Sequence, residues 1–178
     1  MRALMENEMP SIEKLADMMV ETYRNGKKIL VFGNGGSASD AQHFVGELVG
    51  RFGRERTGLP AIALNADTTI LTAISNDFGY SSVFERQVEA LASRGDLVVG
   101  LTTSGNSENV LKGIAKAKYV GARTACLTGR TGGKAAGLCD VEIRVPSDST
   151  PRIQESHTAI IHTACEMMEN ELYGTASA

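Results

Sequence analysis

The sequence predicts an α/β protein, a three-layer α/β/α sandwich built on a five-stranded parallel sheet. Three observations carry that prediction. Short apolar runs alternate with helical segments along most of the 178 residues. The first of these runs, Lys28-Ile-Leu-Val-Phe32, is continuously apolar after its lysine rather than alternating, as in a strand buried on both faces. Two of the runs end in Gly-, Ser- and Thr-rich loops that lead straight into helices.

Ser11 precedes Ile12, Leu15, Ala16, Met19 and Tyr23 at helical spacing, which predicts a first helix over about 11–24. Asn25-Gly26 ends it, and the run to Phe32 is the first strand. Ser39 or Asp40 is placed to cap a helix running to about Gly50. Pro60 to Leu64 is the second strand, and Asp67 opens a short helix to about Ser75. Asn76 to Tyr80 reads as a loop, with Ser82 capping a helix through about Ser93. Asp96 to Leu101 is the third strand. The polar turn Thr102 to Ser107 follows, then a helix to about Tyr119. Ala122 to Leu127 and Val141 to Val145 are the fourth and fifth strands, separated by a brief helix over 132–138. A last helix spans about Arg152 to Tyr173. No linker, repeat or low-complexity stretch interrupts the pattern, so one domain is expected over 1–178.

Composition removes several function classes. A net charge of −3 and a pI near 5.7 give no basic footprint for nucleic acid. Lys27-Lys28 and Arg51 to Arg56 read as solvated loop charges. Cys126, Cys139 and Cys165 form no C-x-x-C, so neither a disulfide framework nor a thiolate zinc site is expected. They read as buried small hydrophobes. No apolar stretch approaches the roughly 20 residues of a membrane span. The acidic N-terminus does not resemble a signal peptide, and a cytoplasmic location is expected.

In open α/β sheets ligands bind beyond the carboxyl ends of the strands. The loop Gly33-Asn-Gly-Gly-Ser-Ala38 lies at such an end. Its glycines admit close backbone approach, and a helix N-terminus attracts anions. Gly33, Gly35 and Ala38 also satisfy G-x-G-x-x-A, but the acidic residue a dinucleotide requires is missing at the end of the next strand. Asp67, the nearest candidate, comes too late. The second loop offers the hydroxyls of Thr102, Thr103, Ser104 and Ser107 and no lysine. That composition suits holding a phosphate monoester rather than transferring a nucleotide phosphate.

The histidines fall in two segments. His43 and Glu47, four apart, share one helix face, as a metal-ligand pair, an acid/base pair or a surface contact. His157 and His162 lie on the last helix. His157 adjoins the apolar stripe of Ile153, Ile160, Ala164, Met168 and Leu172 and reads as a packed, hydrogen-bonded residue. His162 lies nearer the polar side.

Taken together, Gly33-Asn-Gly-Gly-Ser37, His43-Phe-Val-Gly-Glu47, Asn76-Asp-Phe-Gly79, Thr103-Ser-Gly-Asn-Ser107 and Arg152-Ile-Gln-Glu-Ser-His157 closely resemble the phosphoheptose (sedoheptulose 7-phosphate) isomerases of the sugar isomerase, or SIS, domain family. The resemblance runs from about Ser11 to Tyr173. It implies the SIS fold and a homotetramer, with the first helix used in subunit packing. It also implies interconversion of sedoheptulose 7-phosphate and D-glycero-D-manno-heptose 7-phosphate for bacterial surface polysaccharide, and one zinc ion per subunit. By motif, His43, Glu47, Gln154 and His162 match the metal ligands. Ser37, Thr102, Thr103, Ser104 and Ser107 match phosphate-binding positions. Asn34, Arg51, Asn76 and Asp77 match positions lining the sugar, with Gly35, Gly36, Glu47 and Gln154 also among the substrate contacts. Glu47 is the implied base and His162 its acid partner. The chain departs from some members in a shorter segment before the glycine loop and in Pro151, where an acidic residue stands elsewhere.

One geometric expectation follows. Gln154 and His162 on one helix would be about 12 Å apart along the axis and about 80° around it. Either Gln154 lies outside the regular helix, or the two reach a shared ion from different subunits. The second is the expectation taken, which places active sites at subunit interfaces. The rival function is that of non-catalytic SIS tetramers that bind the bacterial replication initiator. Those need the fold but not the acid/base set, and His43, Glu47, Gln154 and His162 are all present here.

Overall fold

Five strands pair in the order β2-β1-β3-β4-β5, all parallel. They are β1 (Ile29–Gly33), β2 (Ala61–Ala63), β3 (Leu97–Thr102), β4 (Arg123–Thr128) and β5 (Val141–Arg144). The computed structural model describes residues 2–174, excluding the side chains of residues 2, 3 and 5. The helices are α1 (Arg2–Arg24), α2 (Gly36–Val49), α3 (Thr68–Phe78), α4 (Val83–Leu91), α5 (Glu108–Tyr119) and α6 (Thr150–Tyr173).

The sheet is wholly buried at β1 and β3, and alternate residues face two separate cores. Ile29, Val31, Leu97, Val99 and Leu101 join Ile12, Leu15 and Met19 of α1, Phe44 and Leu48 of α2, and Ile160, Ile161 and Met168 of α6. Leu30, Phe32, Val98 and Cys126 join Phe84 and Val88 of α4 and Val110 and Ile114 of α5 on the other face. This is the expected three-layer sandwich. Burying each large aliphatic or aromatic side chain contributes roughly 1.5–3 kcal/mol, so both cores are needed against the chain entropy.

Several boundaries differ from the expectation. Helix α1 begins at Arg2, not after Ser11, and continues through Pro10. Leu4, almost fully buried in the first core, gives the extra turns a packing reason that a start placed at Ser11 misses. Helix α2 begins three residues before Ser39, so Ser39 and Asp40 lie inside it. Helix α3 is capped as expected, with Asp67 accepting from the Ile70 N–H at 3.0 Å. It runs through Asn76 and Asp77, which are therefore helical rather than looped. The brief helix near 132–138 is a single 3-10 turn, Gly133–Ala135.

The cysteine expectation is corrected. Cys126 on β4 pairs with Cys139 ahead of β5, and only Cys165 is free. The parallel pairing of β4 with β5 brings the two together, which their spacing could not show. Burial and the nearby carboxylates of Glu47 and Glu169 push the Cys165 thiol up to about 12, so it remains neutral. No helix among the described residues is long and apolar enough to cross a membrane.

Candidate active site

The connection after β1 leads to β2 on one side of it, while β3 lies on the other side. The crevice at that switch point is flanked by the loops after β1 and β3, where a doubly wound sheet receives its ligand. Both predicted polar loops are therefore neighbours at one strand end. Helices α2 and α5 start from them. Neither the Gly35 nor the Ser107 N-cap gives its helix a side-chain hydrogen bond. Helix α3, by contrast, has its first turn capped by Asp67. The N–H groups of Ser37, Ala38 and Ser39 turn back on the Asn34 and Gly35 carbonyls, and that of Val110 on Asn109 Oδ1, so the first N–H of α2, at Gly36, and the first two of α5, at Glu108 and Asn109, are the ones open to the crevice, where an anion is favoured.

The loop after β3 is held in one shape. Thr102 Oγ1 and Ser107 Oγ are 3.1 Å apart, and the Asn106 N–H donates to Ser104 Oγ at 3.1 Å. Gly105 has φ +67° and packs against the backbone of Gly132, where any side chain would clash. The Lys134 N–H donates to Asn106 Oδ1 at 3.1 Å and the Ala135 N–H to the Gly105 carbonyl at 3.0 Å. Across the crevice Ser37 is buried at the start of α2. Asn34 exchanges amide hydrogen bonds with Asn109 of α5, 2.9 Å each way.

The ionisable set lies farther along α2, where α6 packs beside it in parallel and in step. Gly36 lies under the Gln154 amide, and a Cβ there would overlap it. Thr158 Oγ1 donates to Asp40 Oδ1 at 3.4 Å. His43 Nε2 lies 2.7 Å from His162 Nε2, and Glu47 Oε1 is 3.3 Å from His43 Nε2. Ligand atoms of His43, Glu47 and His162 all fall within 4.8 Å of one another. Among the described residues, no other group of His, Cys, Asp and Glu does so. The donor set, two imidazoles and one carboxylate, fits zinc with a position left open.

The SIS-domain family profile matches residues 1–129. A phosphoheptose isomerase of Aliarcobacter butzleri (strain RM4018) is 58% identical over 161 residues, covering 90% of this chain and 85% of the relative. One from Geotalea daltonii is 56% identical over 165 residues, covering 93% and 86%. Among solved structures, phosphoheptose isomerase from Neisseria gonorrhoeae superposes with a TM-score of 0.89 at 42% identity, over 95% of this chain and 90% of that one. The chain belongs to the SIS-domain family, among its phosphoheptose isomerases.

Asn34, Gly35, Gly36, Ser37, Thr102, Thr103, Ser104 and Ser107 surround the crevice. His43, Glu47 and His162 converge. Gln154 lies inside α6, so the first of the two alternatives, a position outside the regular helix, is removed. It sits over Gly36, two turns of α6 before His162. Arg51 is exposed just beyond α2. Asn76 and Asp77 are exposed at the end of α3, with Asn76 Nδ2 donating to Asp77 Oδ1 at 2.8 Å. His157 is fully buried, 3.3 Å from the Thr128 carbonyl through Nε2. Burial lowers its pKa to about 4.

Sequence reasoning missed the supports. Arg56, read as a solvated charge, is buried against Glu169 at 2.6 Å, with both side chains no more than 3% exposed. Its Nη2 donates to the Glu47 carbonyl at 2.8 Å and its Nη1 to the Leu48 carbonyl at 2.9 Å, capping the end of α2. Glu169 also accepts the Phe52 and Gly53 N–H groups. The Phe52 ring lies 5.5 Å from that of His162. Burial alone would raise the Glu169 carboxyl. The Gly53 N–H, Arg56 and the Phe52 N–H outweigh it and hold the group below the ordinary range. The signal was unreadable because a basic run looks the same whether its third arginine faces water or a distant helix.

Proposed function

We propose that this chain is an isomerase interconverting sedoheptulose 7-phosphate and D-glycero-D-manno-heptose 7-phosphate through an enediol. The observation that carries the reading is the convergence of His43, Glu47 and His162 in a chain whose relatives are named phosphoheptose isomerases. The two polar loops at the β1/β3 switch point support a sugar phosphate as ligand.

Moving the carbonyl from C2 to C1 takes a proton from C1 and returns one to C2. Glu47 takes the carbon-bound proton and delivers it to the neighbouring carbon. His162 exchanges protons with the oxygens. Ser37 and the hydroxyls of Thr102, Thr103, Ser104 and Ser107, at the positive starts of α2 and α5, hold the phosphate. Asn34, Arg51, Asn76 and Asp77 orient the sugar chain between the two. His43, Glu47 and His162 are the residues to hold one zinc ion, and bound zinc supplies Lewis-acid polarisation of the sugar carbonyl. A carboxylate has two oxygens, so holding an ion through one leaves the other for proton transfer.

The in-step packing of α2 on α6 keeps Gln154 of the same chain two turns from His162. Gln154 of a neighbouring subunit is the one to complete the set, which makes the site a property of a homotetramer. A cytoplasmic setting and a role in heptose synthesis for surface polysaccharide belong to the same reading.

The test is turnover of sedoheptulose 7-phosphate by protein of measured metal content and solution mass. We expect one zinc per subunit, a tetramer, and loss of at least about tenfold in rate on chelation, restored by zinc. A zinc-loaded tetramer that leaves the substrate unchanged would rule the reading out.

A further inference from the structure

Asn34 lies in the glycine loop, yet its amide is fixed by two residues from other segments that no motif singles out. Asn109 is 4% exposed at the start of α5. Tyr80 follows α3 and is half-exposed. The hydrogen bonds between the two amides have one direction only. The Val110 N–H is a backbone donor and cannot reverse, and it donates to Asn109 Oδ1 at 2.9 Å. That makes the other amide atom of Asn109 the donor, and it reaches Asn34 Oδ1 at 2.9 Å. Asn34 Nδ2 returns a bond to Asn109 Oδ1 at 2.9 Å. The Tyr80 hydroxyl donates to Asn34 Oδ1 at 3.2 Å. Turning the Asn34 amide over would set its NH₂ against the Asn109 NH₂ and its oxygen against Asn109 Oδ1. An amide nitrogen carries two hydrogens. One is used on Asn109, and the other remains for a ligand at the crevice.

We propose that Asn109 and Tyr80 are positioning residues that lock the Asn34 amide with an N–H presented to the bound sugar phosphate. The proposal rests on the substrate reading above. The hub also joins the three segments that carry the predicted ligand contacts: the loop after β1, the end of α3 and the start of α5. Asn34 donates to the substrate, and Asn109 and Tyr80 act through it.

The experiment is a set of double-mutant cycles. Tyr80→Phe removes one exposed hydroxyl and leaves the ring. Asn109→Ala removes the amide pair. Each is made in the native chain and in Asn34→Ala, with KM, kcat and melting temperature measured for all. In the native background Tyr80→Phe should raise KM about 2- to 10-fold, the effect of one hydrogen bond. Asn109→Ala should raise it at least as much, with kcat within about twofold in both. In Asn34→Ala neither change should alter KM further by more than about twofold, because the group they orient is gone. A purely structural role predicts the same loss in both backgrounds, and that result overturns the proposal. So does an unchanged KM in both single variants. Absence of wild-type turnover sinks the substrate reading and not the hub. The hub is then read from the melting-temperature rise that a ketose phosphate, fructose 6-phosphate, induces in the same proteins. It is supported if Tyr80→Phe and Asn109→Ala diminish that rise, and overturned if both retain it in full.

Discussion

The two ends of the candidate site are built from the same pair of structural ideas, strand ends and helix starts, but are held in opposite ways. The crevice end is scaffolded by neutral groups: a reciprocal pair of asparagine amides, paired hydroxyls and a buried histidine. The His43/Glu47/His162 end is scaffolded by charge, with Arg56 and Glu169 buried behind it and tied into the end of α2 and the loop at Phe52 and Gly53. A bound phosphate brings its own charge, so a neutral cradle of oriented N–H and O–H groups suits it. The other end must hold two helices in step, and a carboxylate that accepts from two loop N–H groups and an arginine spans that gap. The difference teaches that affinity and chemistry can be disturbed separately here.

The largest separation is expected at Glu47. Glu47→Gln keeps the size and the backbone position that Arg56 fixes, and removes the proton acceptor. We expect kcat to fall by about 10² to 10⁴, with sugar-phosphate affinity within a few-fold of native. Steady-state kinetics beside calorimetric binding reads both. Turnover within a factor of ten of native would remove Glu47 from the proton-transfer role.

Arg56 gives the next effect, on stability. Arg56→Met leaves Glu169 buried with its charge and two backbone donors, and breaking a buried pair in this way costs about 3–5 kcal/mol. The double change Arg56→Met with Glu169→Leu removes both charges and should recover part of that loss. Urea unfolding of the two variants, with zinc affinity by chelator competition, makes the comparison. Both should bind zinc more weakly than native, because α2 and α6 lose the clamp beside the three ligands. A single variant as stable as native would show the pair to be idle.

The sheet was legible because its signal is local. Each strand is a short apolar run with a polar stop, and Gly33 to Ser37 and Thr102 to Ser107 announce themselves by composition. The set His43, Glu47 and His162 was half legible. Spacing joins the first two on α2, but only the packing of α6 brings in His162, and resemblance supplied it in advance. The supports were illegible. Asn109 two residues after a helix cap and Arg56 in a basic loop are unremarkable until the partner, far along the chain, is known. Cys126 and Cys139 make the same point, since strand pairing and not spacing puts them together. Burial of a polar residue is a tertiary fact, and periodicity reports only which face of an element is apolar.

The smallest effect tests the neutral end, through His157. Its Nε2 faces the Thr128 carbonyl at the end of β4, and the next residue, Gly129, packs against the Thr103 backbone of the crevice loop. Burial, partly offset by that carbonyl, lowers the folded-state pKa from 6.5 to about 4. As pH falls below about 6.5 the unfolded chain takes up the proton first, so stability declines until about pH 4, where both states are protonated. Above pH 6.5 the ring is neutral in both states and the term vanishes. The loss is on the order of 3 kcal/mol over that window, at 1.36 kcal/mol per pKa unit. His157→Gln keeps a donor toward Thr128 and does not titrate. The stability difference between native and variant should therefore shift in favour of the variant by that amount between pH 7 and pH 4, and stay flat between pH 7 and pH 8. Denaturant unfolding at those pH values measures it. A difference independent of pH would mean that His157 accepts a proton in the folded chain as readily as in the unfolded one, and the contrast between a neutral end and a charged end would fail at that residue.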